Sequence, residues 1–355
     1  MKRILFVFLF PLLIFSQKSD LKFYEVFSKS QNSKVSCYRI PSIITTDKGT
    51  IIAAADERVF SCNDLKSNRD INIVIRTSND EGKSWSSINR LVDYPFGESA
   101  SDPSMIFDKK TKQIYLFYNY MNLEKDKDVY YLKYVTSLDN GITWSQPIDI
   151  TDQISKPEWK NDFKFITSGR GFQTRDGALL HCLVNLQNGT HVFGSNDHGK
   201  TWYIAEVPIS LGDESKIVEL NDGSWLVNSR VNNKGIRYSH ISKNQGKSWT
   251  TRPEINLIDP GCNASLVKYD YGNYINSDLL LLSNINNQST REEIVIRHSL
   301  NGGETWSEPR IIYAGSAAYS SMTVLNNGEI GLLFERDNYS KNVFTKFSLH
   351  WLMNN

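Results

Sequence analysis

The chain has 355 residues, of which 40 are Lys or Arg and 39 are Asp or Glu, so its formal net charge is +1. This balance argues against a protein that binds nucleic acid or anionic membranes mainly by charge, because such proteins carry a basic excess or long basic runs. Hydrophobic residues make up 40% of the chain, which suffices for a large core and excludes a disordered chain. Four Cys are too few for a disulfide-stapled scaffold, although Cys37 and Cys62 can pair in an oxidising compartment; two buried thiols are the alternative.

The first residues have the pattern of a secretory signal peptide. Lys2 and Arg3 precede an apolar run at residues 4–15, and Ser16 follows it. A membrane span needs about 20 apolar residues, so this run is short for a span and fits the apolar core of a signal peptide. We predict a signal peptide over residues 1–16, which leaves a secreted or periplasmic chain with no membrane span. An N-terminal membrane anchor is the alternative.

Five segments of the chain repeat one pattern, Ser-x-Asp/Asn-x-Gly-x-Ser/Thr-Trp. Their starts lie 59, 58, 47 and 57 residues apart, and five of the eight Trp residues occupy this one position, so chance does not explain the repeat. The last two carry Asn244 and Asn301 where the others have Asp. The segments are SNDEGKSW (78–85), SLDNGITW (137–144), SNDHGKTW (195–202), SKNQGKSW (242–249) and SLNGGETW (299–306).

Each repeat has the chemistry of a tight β-turn. Its Asp or Asn accepts backbone N–H bonds, its Gly adopts positive φ, and its Trp packs between sheets. The flanking runs, such as INIVIRTS (71–78), are typical of strands. Hairpins that recur in this way predict an all-β fold, a six-bladed β-propeller of four-stranded antiparallel sheets over residues 17–355. We expect Asp80, Asp139 and Asp197 to be structural, because outer hairpins lie away from the central funnel.

The repeats resemble Asp-boxes, and Tyr-Arg-Ile-Pro at 38–41 resembles the F/Y-R-I-P motif of the sialidases (exo-α-neuraminidases) of bacteria and animals. Asp-boxes alone also occur in non-enzymatic propellers, and the Arg-Ile-Pro segment sharpens the match. The resemblance covers essentially all of residues 17–355. It implies a retaining exo-α-sialidase that hydrolyses terminal α-linked sialic acids of glycoproteins, glycolipids and oligosaccharides, as a monomer and without a metal or organic cofactor.

The resemblance implies three arginines that hold the substrate carboxylate. A terminal sialic acid carries this group on its anomeric carbon, and guanidinium forks suit a carboxylate better than ammonium groups do. The matching positions are Arg39 in YRIP, Arg230 at the end of VELNDGSWLVNSR, and Arg291 eight residues before the last repeat. Glu335, in GLLFERD, matches the acidic residue that orients the first arginine. An Arg39–Glu335 pair is physically sensible, because a glutamate buried without a partner is costly.

The resemblance also implies a tyrosine nucleophile. A carboxylate nucleophile would meet the like charge of the substrate, whereas a neutral phenol avoids this repulsion but needs a base. Sialidases are the tyrosine exception among retaining glycosidases. Tyr319, in AAYSSMTVLNNG, matches the nucleophile, and Glu214, in DESKIVEL, matches its base. Glu214 and Arg230 flank a hairpin predicted to turn at residues 221–223, so both strand ends return to one face.

The proton donor is expected in the loop after the first blade strands. Asp64, six residues after Arg58, matches the family's acid and base; Asp70 is the rival in this acidic loop. Arg58 resembles the arginine near the 4-hydroxyl of the sugar. Asp102 resembles an Asp near the N-acyl group, although the Asp102–Pro103 pair is also typical of an ordinary turn.

Two other functions are compatible with these motifs. One is a glycan-binding propeller with Asp-boxes and no catalysis, which a sialoside assay would separate. The other is a related enzyme with a different outcome: a trans-sialidase, an intramolecular trans-sialidase that makes an anhydro sugar, or a hydrolase of a related nonulosonic or octulosonic acid.

Overall fold

A computed structural model describes residues 21–354 of the chain, and the predicted signal peptide lies outside them. The described part is all-β, as predicted, and its helices are short. Within it, no helix has the length and apolar character that a membrane crossing requires. The two α-helices are α1, Thr151–Ile154, and α2, Leu349–Met353; single 3-10 turns occupy Lys29–Gln31, Leu65–Ser67, Pro157–Trp159 and Gly272–Tyr274.

The strands are mostly rich in β-branched and aromatic residues, which fit a pleated and half-buried surface. The first twelve are β1 Tyr24–Ser28, β2 Cys37–Thr45, β3 Ile51–Arg58, β4 Ile71–Ser78, β5 Asn89–Val92, β6 Glu98–Phe107, β7 Ile114–Asn122, β8 Tyr131–Ser137, β9 Ile148–Asp149, β10 Lys164–Ile166, β11 Gly169–Arg170 and β12 Phe172–Gln173. The others are β13 Leu179–Asn185, β14 Gly189–Ser195, β15 Tyr203–Ile204, β16 Ser215–Glu219, β17 Trp225–Ser229, β18 Ile236–Ser242, β19 Thr250–Ile258, β20 Ser265–Lys268, β21 Leu280–Ile285, β22 Glu292–Ser299, β23 Arg310–Val324, β24 Ile330–Arg336 and β25 Lys341–Phe347.

These strands form five sheets whose neighbours run antiparallel, apart from β11, which lies parallel to β6. The core consists of hydrophobic side chains packed between adjacent sheets; for example, Ile44 and Ile73 of the first sheet pack with Met105 and Leu116 of the second. The sheet orders are β2-β3-β4-β5, β11-β6-β7-β8-β9, β10-β13-β14-β15 with β12 also on β13, β16-β17-β18-β19, and β20-β21-β22-β23-β24-β25-β1.

The seven-stranded sheet consists of two units that share the long strand β23. Residues 310–316 of this strand pair with β22, and residues 317–324 pair with β24. On the far side, β1 pairs with β25, with Tyr24 opposite Phe344. The first and last strands of the described chain therefore lie side by side.

The repeated segments form the turns that their residues predict. In the first, the Gly82 N–H donates to Ser78 Oγ at 2.9 Å, and Asp80 accepts bonds from the N–H and the hydroxyl of Ser84 at 2.9 and 2.6 Å. The Trp85 indole N–H donates to the Gly82 carbonyl oxygen at 3.2 Å. Gly82 has φ of 82°, a conformation that other residues resist.

We expect the Asp residues of these turns to make the fold sensitive to acid. Hydrogen bonds from a Ser or Thr four residues further on hold the pKa of Asp80, Asp139 and Asp197 at about 2, below the unfolded value of about 3.9. A lowered pKa stabilises the folded chain above the unfolded pKa, and this stabilisation is lost as the pH falls toward 2. Solvent screening keeps each contribution small.

The matched variant carries Asp80→Asn, Asp139→Asn and Asp197→Asn together. Asn244 and Asn301 already accept the same turn bonds from the N–H groups four residues on, at 3.0 Å each, so the turns tolerate the change. Melting temperatures should fall less steeply between about pH 4 and pH 2 in the variant than in the parent protein. Parallel curves over this range would contradict the prediction.

Candidate active site

One cavity of about 310 Å³ gathers most of the residues that the sequence singles out. They come from strand ends and loops of different sheets. Among its lining residues are Arg39, Asp64, Asp102, Glu214, Arg230, Arg291 and Tyr319. A larger surface groove, of about 630 Å³ and lined in part by Tyr203, Trp225 and Lys247, contains none of them.

Tyr319, on β23, forms a hydrogen-bonded group with two partners at the predicted hairpin. Its phenolic hydroxyl donates to Glu214 Oε2 at 2.7 Å, and Arg230 Nη1 lies 2.6 Å from the same carboxylate oxygen and 3.1 Å from Tyr319 Oη. Glu214 directly precedes β16 and Arg230 directly follows β17, so the hairpin between them places both, as predicted.

This environment keeps the Tyr319 phenol protonated until a base acts on it. Burial raises the pKa of Tyr319, and the charge of Glu214 raises it further. Arg230 and Arg291 oppose this effect without cancelling it, so the pKa lies well above the ordinary value for tyrosine. The group is therefore an uncharged phenol in direct contact with the Glu214 carboxylate.

Glu335, on β24, joins the first arginine to the backbone around Tyr319. It is fully buried and accepts bonds from Arg39 Nε at 2.6 Å, from the Ile40 N–H at 2.8 Å and from the Tyr319 N–H at 3.0 Å. The pair expected from the sequence is therefore present. Burial lowers the pKa of Arg39, but the charge and hydrogen bond of Glu335, together with Tyr319 and Tyr339, raise it by more, so the guanidinium stays charged.

Arg291, immediately before β22, completes a group of three guanidinium groups around Tyr319. The guanidinium carbons of Arg39 and Arg291 lie 5.6 and 5.3 Å from the centre of the Tyr319 ring. Arg291 Nη1 donates to Tyr339 Oη at 3.1 Å, and the Tyr339 ring lies 4.0 Å from the Arg39 guanidinium. Together with Arg230, these are fixed cations that suit a bound carboxylate.

Irregularities in strand pairing lie beside Arg39, Asp102 and Tyr319, three residues that line the cavity. The pairing of β2 with β3 shifts register between Arg39 and Ser42, and that of β6 with β7 shifts beside Asp102. Ile40 and Asp102, each followed by Pro, have φ of 59° and 62°, which is strained for a β-branched residue such as Ile40. A third shift, next to Tyr319, lies in the pairing of β23 with β24. Bulges of this kind re-aim side chains beside functional sites.

Asp64, in the loop after β3, is paired with an arginine. Arg58 Nη1 lies 2.7 Å from Asp64 Oδ1, and Arg58 Nη2 lies 2.9 Å from Asp56 Oδ2. Partial desolvation at the cavity raises the pKa of Asp64, but the charge and hydrogen bond of Arg58, with the charges of Arg39 and Arg291, outweigh this effect, so the pKa lies below the ordinary value. The side chain is 83% exposed. The rival Asp70 is not among the cavity-lining residues and accepts a bond from its neighbour Asn72 at 3.2 Å.

The surroundings of Asp102 shift its pKa upward, in the opposite direction to the shift at Asp64. Burial raises its pKa, and the nearby carboxylates of Asp56 and Glu214 raise it further, to well above the ordinary value. Its Oδ2 accepts a bond from Asn119 Nδ2 at 3.1 Å, and its own N–H donates to Asp56 Oδ1 at 2.9 Å. Asp102 can therefore be neutral and donate a hydrogen bond to a ligand, whereas Asp64 is ionised in this arrangement.

The sequence reasoning missed several residues that build the site. Asp56 forms an ion pair with Arg58. This pair could have been predicted, because residues two apart on a strand lie on the same face. Asp213, next to Glu214, accepts a bond from Asn232 Nδ2 at 2.5 Å. Tyr339, in the loop between β24 and β25, had no sequence signal. The apolar wall also went unrecognised; it is formed by Leu65, Tyr130, Phe163, Phe165 and Leu186.

The structure also resolves the open question about the cysteines. Cys37, at the start of β2, is bonded to Cys62 in the loop before Asp64, with a Cα–Cα distance of 5.7 Å. Cys182 and Cys262 are free and buried. The disulfide therefore lies beside the cavity, between the segments that carry Arg39 and Asp64.

Comparison with known proteins defines the class. Residues 53–332 match the family of the BNR repeat-like domain. The sialidase of Micromonospora viridifaciens is 31% identical over 346 residues, which is 89% of this chain and 52% of that protein. The sialidase of Bacteroides fragilis is 29% identical over 328 residues, covering 84% of this chain and 60% of the relative.

Solved structures agree with these matches. The Hadza microbial sialidase Hz136 superposes with a TM-score of 0.84 at 27% identity, over 93% of this chain and 69% of that one. An intramolecular trans-sialidase from Ruminococcus gnavus, with a TM-score of 0.79 at 21% identity over 93% of this chain and 98% of that one, shares the fold. The chain belongs to the BNR repeat-like domain family, and the two bacterial relatives that it matches are sialidases. It spans between half and two thirds of the length of the two bacterial relatives.

Proposed function

We propose that the protein is a retaining exo-α-sialidase that hydrolyses terminal α-linked sialic acids of glycans, with Tyr319 as its nucleophile. One observation carries the proposal: the Tyr319 hydroxyl donates to Glu214 at 2.7 Å inside a cavity that three arginines line. A neutral nucleophile with an adjacent base, next to fixed positive charge, suits a substrate whose reacting carbon bears a carboxylate.

In the first step, Arg39, Arg230 and Arg291 bind the carboxylate and so place the anomeric carbon against Tyr319. Glu214 takes the phenolic proton as Tyr319 Oη bonds to that carbon, and the bond to the glycosidic oxygen breaks. Arg230 Nη1, 3.1 Å from Tyr319 Oη, stabilises the negative charge that develops on the phenol oxygen.

The second carboxylate acts on the leaving group. Asp64 in its protonated form donates to the departing oxygen. The resulting carboxylate later takes a proton from water as the water oxygen bonds to the anomeric carbon, the bond from that carbon to Tyr319 Oη breaks, and Glu214 returns its proton to the phenol oxygen. Because Asp64 is ionised while it pairs with Arg58, it must leave Arg58 and gain a proton before it can act as the acid. Asp102 lines the cavity, where it is placed to bind the N-acyl side of the sugar. Arg58 is buried and paired with Asp56 and Asp64, and we assign it to the region of the sugar 4-hydroxyl.

The architecture and location form part of the same proposal. The division of the seven-stranded sheet at β23 into two units supports six blades in a propeller. A signal peptide over residues 1–16 would deliver the mature chain, as a monomer, to the periplasm or the exterior. The Cys37–Cys62 disulfide supports such an oxidising compartment.

The test is the purified protein with 4-nitrophenyl α-sialoside, followed in real time by proton NMR. We expect free sialic acid, released first as the α-anomer. Absence of release at any pH from about 4 to 8 would favour a binding protein instead. The same spectra with sialyllactose separate hydrolysis from transfer to a second glycan and from formation of an anhydro sugar.

A further inference from the structure

A covalent bond fastens the loop that carries Asp64. Residues 59–70 join β3 to β4, and Cys62 in this loop is bonded to Cys37 at the start of β2. Asp64 lies two residues beyond Cys62, and Arg39 lies two residues beyond Cys37. One bond therefore ties the segment of the proposed proton donor to the strand of a proposed carboxylate-binding arginine.

Other contacts hold the loop beside the disulfide: the Ser67 N–H donates to the Asp64 carbonyl oxygen at 2.9 Å, and the buried Leu65 packs with Met121 and Tyr130. Arg58 Nη1 donates to Asp64 Oδ1 at 2.7 Å and to the Cys62 carbonyl oxygen at 2.8 Å. Asn68 Nδ2 donates to the Ser61 carbonyl oxygen at 2.8 Å. The Asp64 side chain itself is largely exposed, so its orientation depends on the pairing with Arg58 more than on packing.

The balance of these contacts changes when Asp64 becomes the acid. A protonated Asp64 has lost its ionic attraction to Arg58, so the side chain no longer anchors the loop. The attachment at Cys62, through the disulfide and the carbonyl bond from Arg58, then keeps the backbone within reach of the leaving group. A cross-link is suited to this role, because its restraint on the loop does not depend on charge.

We propose that the Cys37–Cys62 disulfide is a positioning element for Asp64, required for efficient hydrolysis of substrates with poor leaving groups. The inference rests on the proposed function. Proton transfer by a positioned acid contributes about 10²- to 10⁴-fold to a rate, and a displacement of about 1 Å removes much of it. Aryl leaving groups depart with little protonation, so the first step with an aryl sialoside depends far less on Asp64.

The test variant is the double change Cys37→Ser and Cys62→Ser, which leaves no unpaired thiol in the loop. The two substrates are sialyllactose, whose leaving group is a sugar hydroxyl, and 4-nitrophenyl α-sialoside. We expect kcat/KM, which reports the step in which the leaving group departs, to fall about 10-fold or more for sialyllactose and by less than about 3-fold for the aryl sialoside. Equal losses on both substrates would show a purely structural role and overturn the proposal.

Two further variants separate positioning from loss of stability. Asp197→Ala weakens a turn outside the cavity. It should change the two rates by the same factor, even if its melting temperature falls as far as that of the double Cys variant. Asp64→Ala should depress the sialyllactose rate selectively, and adding the two Cys changes to it should cause no further selective loss. If the rate losses caused by Asp64→Ala and by the two Cys changes multiply in the combined variant, the disulfide does not act through Asp64.

The parent protein treated with dithiothreitol provides a measurement that does not depend on refolding a variant. Dithiothreitol gives two electrons and two protons to the disulfide, yields two thiols and becomes its own cyclic disulfide. We expect the same selective loss of activity on sialyllactose, and we expect reoxidation to reverse it. If thiol titration shows both thiols free and the ratio of the rates on the two substrates is unchanged, the proposal is overturned. An untreated parent protein that turns over neither substrate would refute the proposed function itself.

Discussion

Replacement of Tyr319 by phenylalanine is expected to lower kcat/KM by at least about 10³-fold on every sialoside, since the change deletes the attacking oxygen. The fold should survive, because Glu214 keeps its bond from Arg230 and the Tyr319 N–H keeps its bond to Glu335. Initial rates with the aryl sialoside and a melting curve measure both effects.

Tyr313→Phe is the matched control, because it removes one phenolic hydroxyl whose 2.7 Å bond goes to Asp337, outside the cavity lining. This control should retain the parent activity. A Tyr319→Phe protein with full turnover would refute the assignment of the nucleophile, whatever the fate of the control.

Replacement of Arg291 by alanine is expected to lower kcat/KM by roughly 10- to 100-fold, mainly through KM, because charged hydrogen bonds to the substrate carboxylate are lost. Of the three arginines, Arg291 gives the clearest test of carboxylate binding, because its replacement leaves no buried glutamate unpaired. Loss of Arg39 or Arg230 would leave a buried glutamate without its cation, which destabilises the fold as well. The bonds of Arg291 go instead to Tyr339 Oη and, at 3.4 Å, to the Gly261 carbonyl oxygen.

The control for this change is Arg175→Ala, which removes an exposed guanidinium that donates to the Asn221 carbonyl oxygen at 2.8 Å. Arg291→Lys keeps the charge without the planar fork, so its kcat/KM should lie between those of the parent protein and the alanine variant. A KM for sialyllactose that stays unchanged in the alanine variant would remove Arg291 from the proposed carboxylate site.

The fold was predictable because it repeats. A turn such as Ser78–Trp85 depends on residues within a few positions of each other, so its bonds can be anticipated from local sequence, and five copies set the spacing of the sheets. The division of strands among sheets was less accessible. Nothing local indicates that β23 runs through two units or that β11 pairs in parallel with β6.

The site was predictable where a motif carries it. Arg39, Glu214, Arg230 and Tyr319 were found from their sequence context, and the structure places them in one cavity. Contacts between distant loops were not predictable, as Tyr339 shows by approaching both Arg39 and Arg291.

The cysteine pairing illustrates the same limit. A separation of 25 residues says nothing about the distance between two Cα atoms, and only the pairing of β2 with β3 brings Cys37 and Cys62 together. Long-range geometry of this kind follows from the packed structure and is absent from the local pattern.

The pairing of β1 with β25 has a consequence for biosynthesis. Tyr24 finds its partner Phe344 only after the residues between them have emerged from the ribosome, so the seven-stranded sheet stays incomplete until β25 has been made. Contacts between such distant segments also slow folding, because loop-closure entropy is lost before they form. A nascent chain therefore exposes the unpaired edges of β1 during most of the synthesis of the described residues.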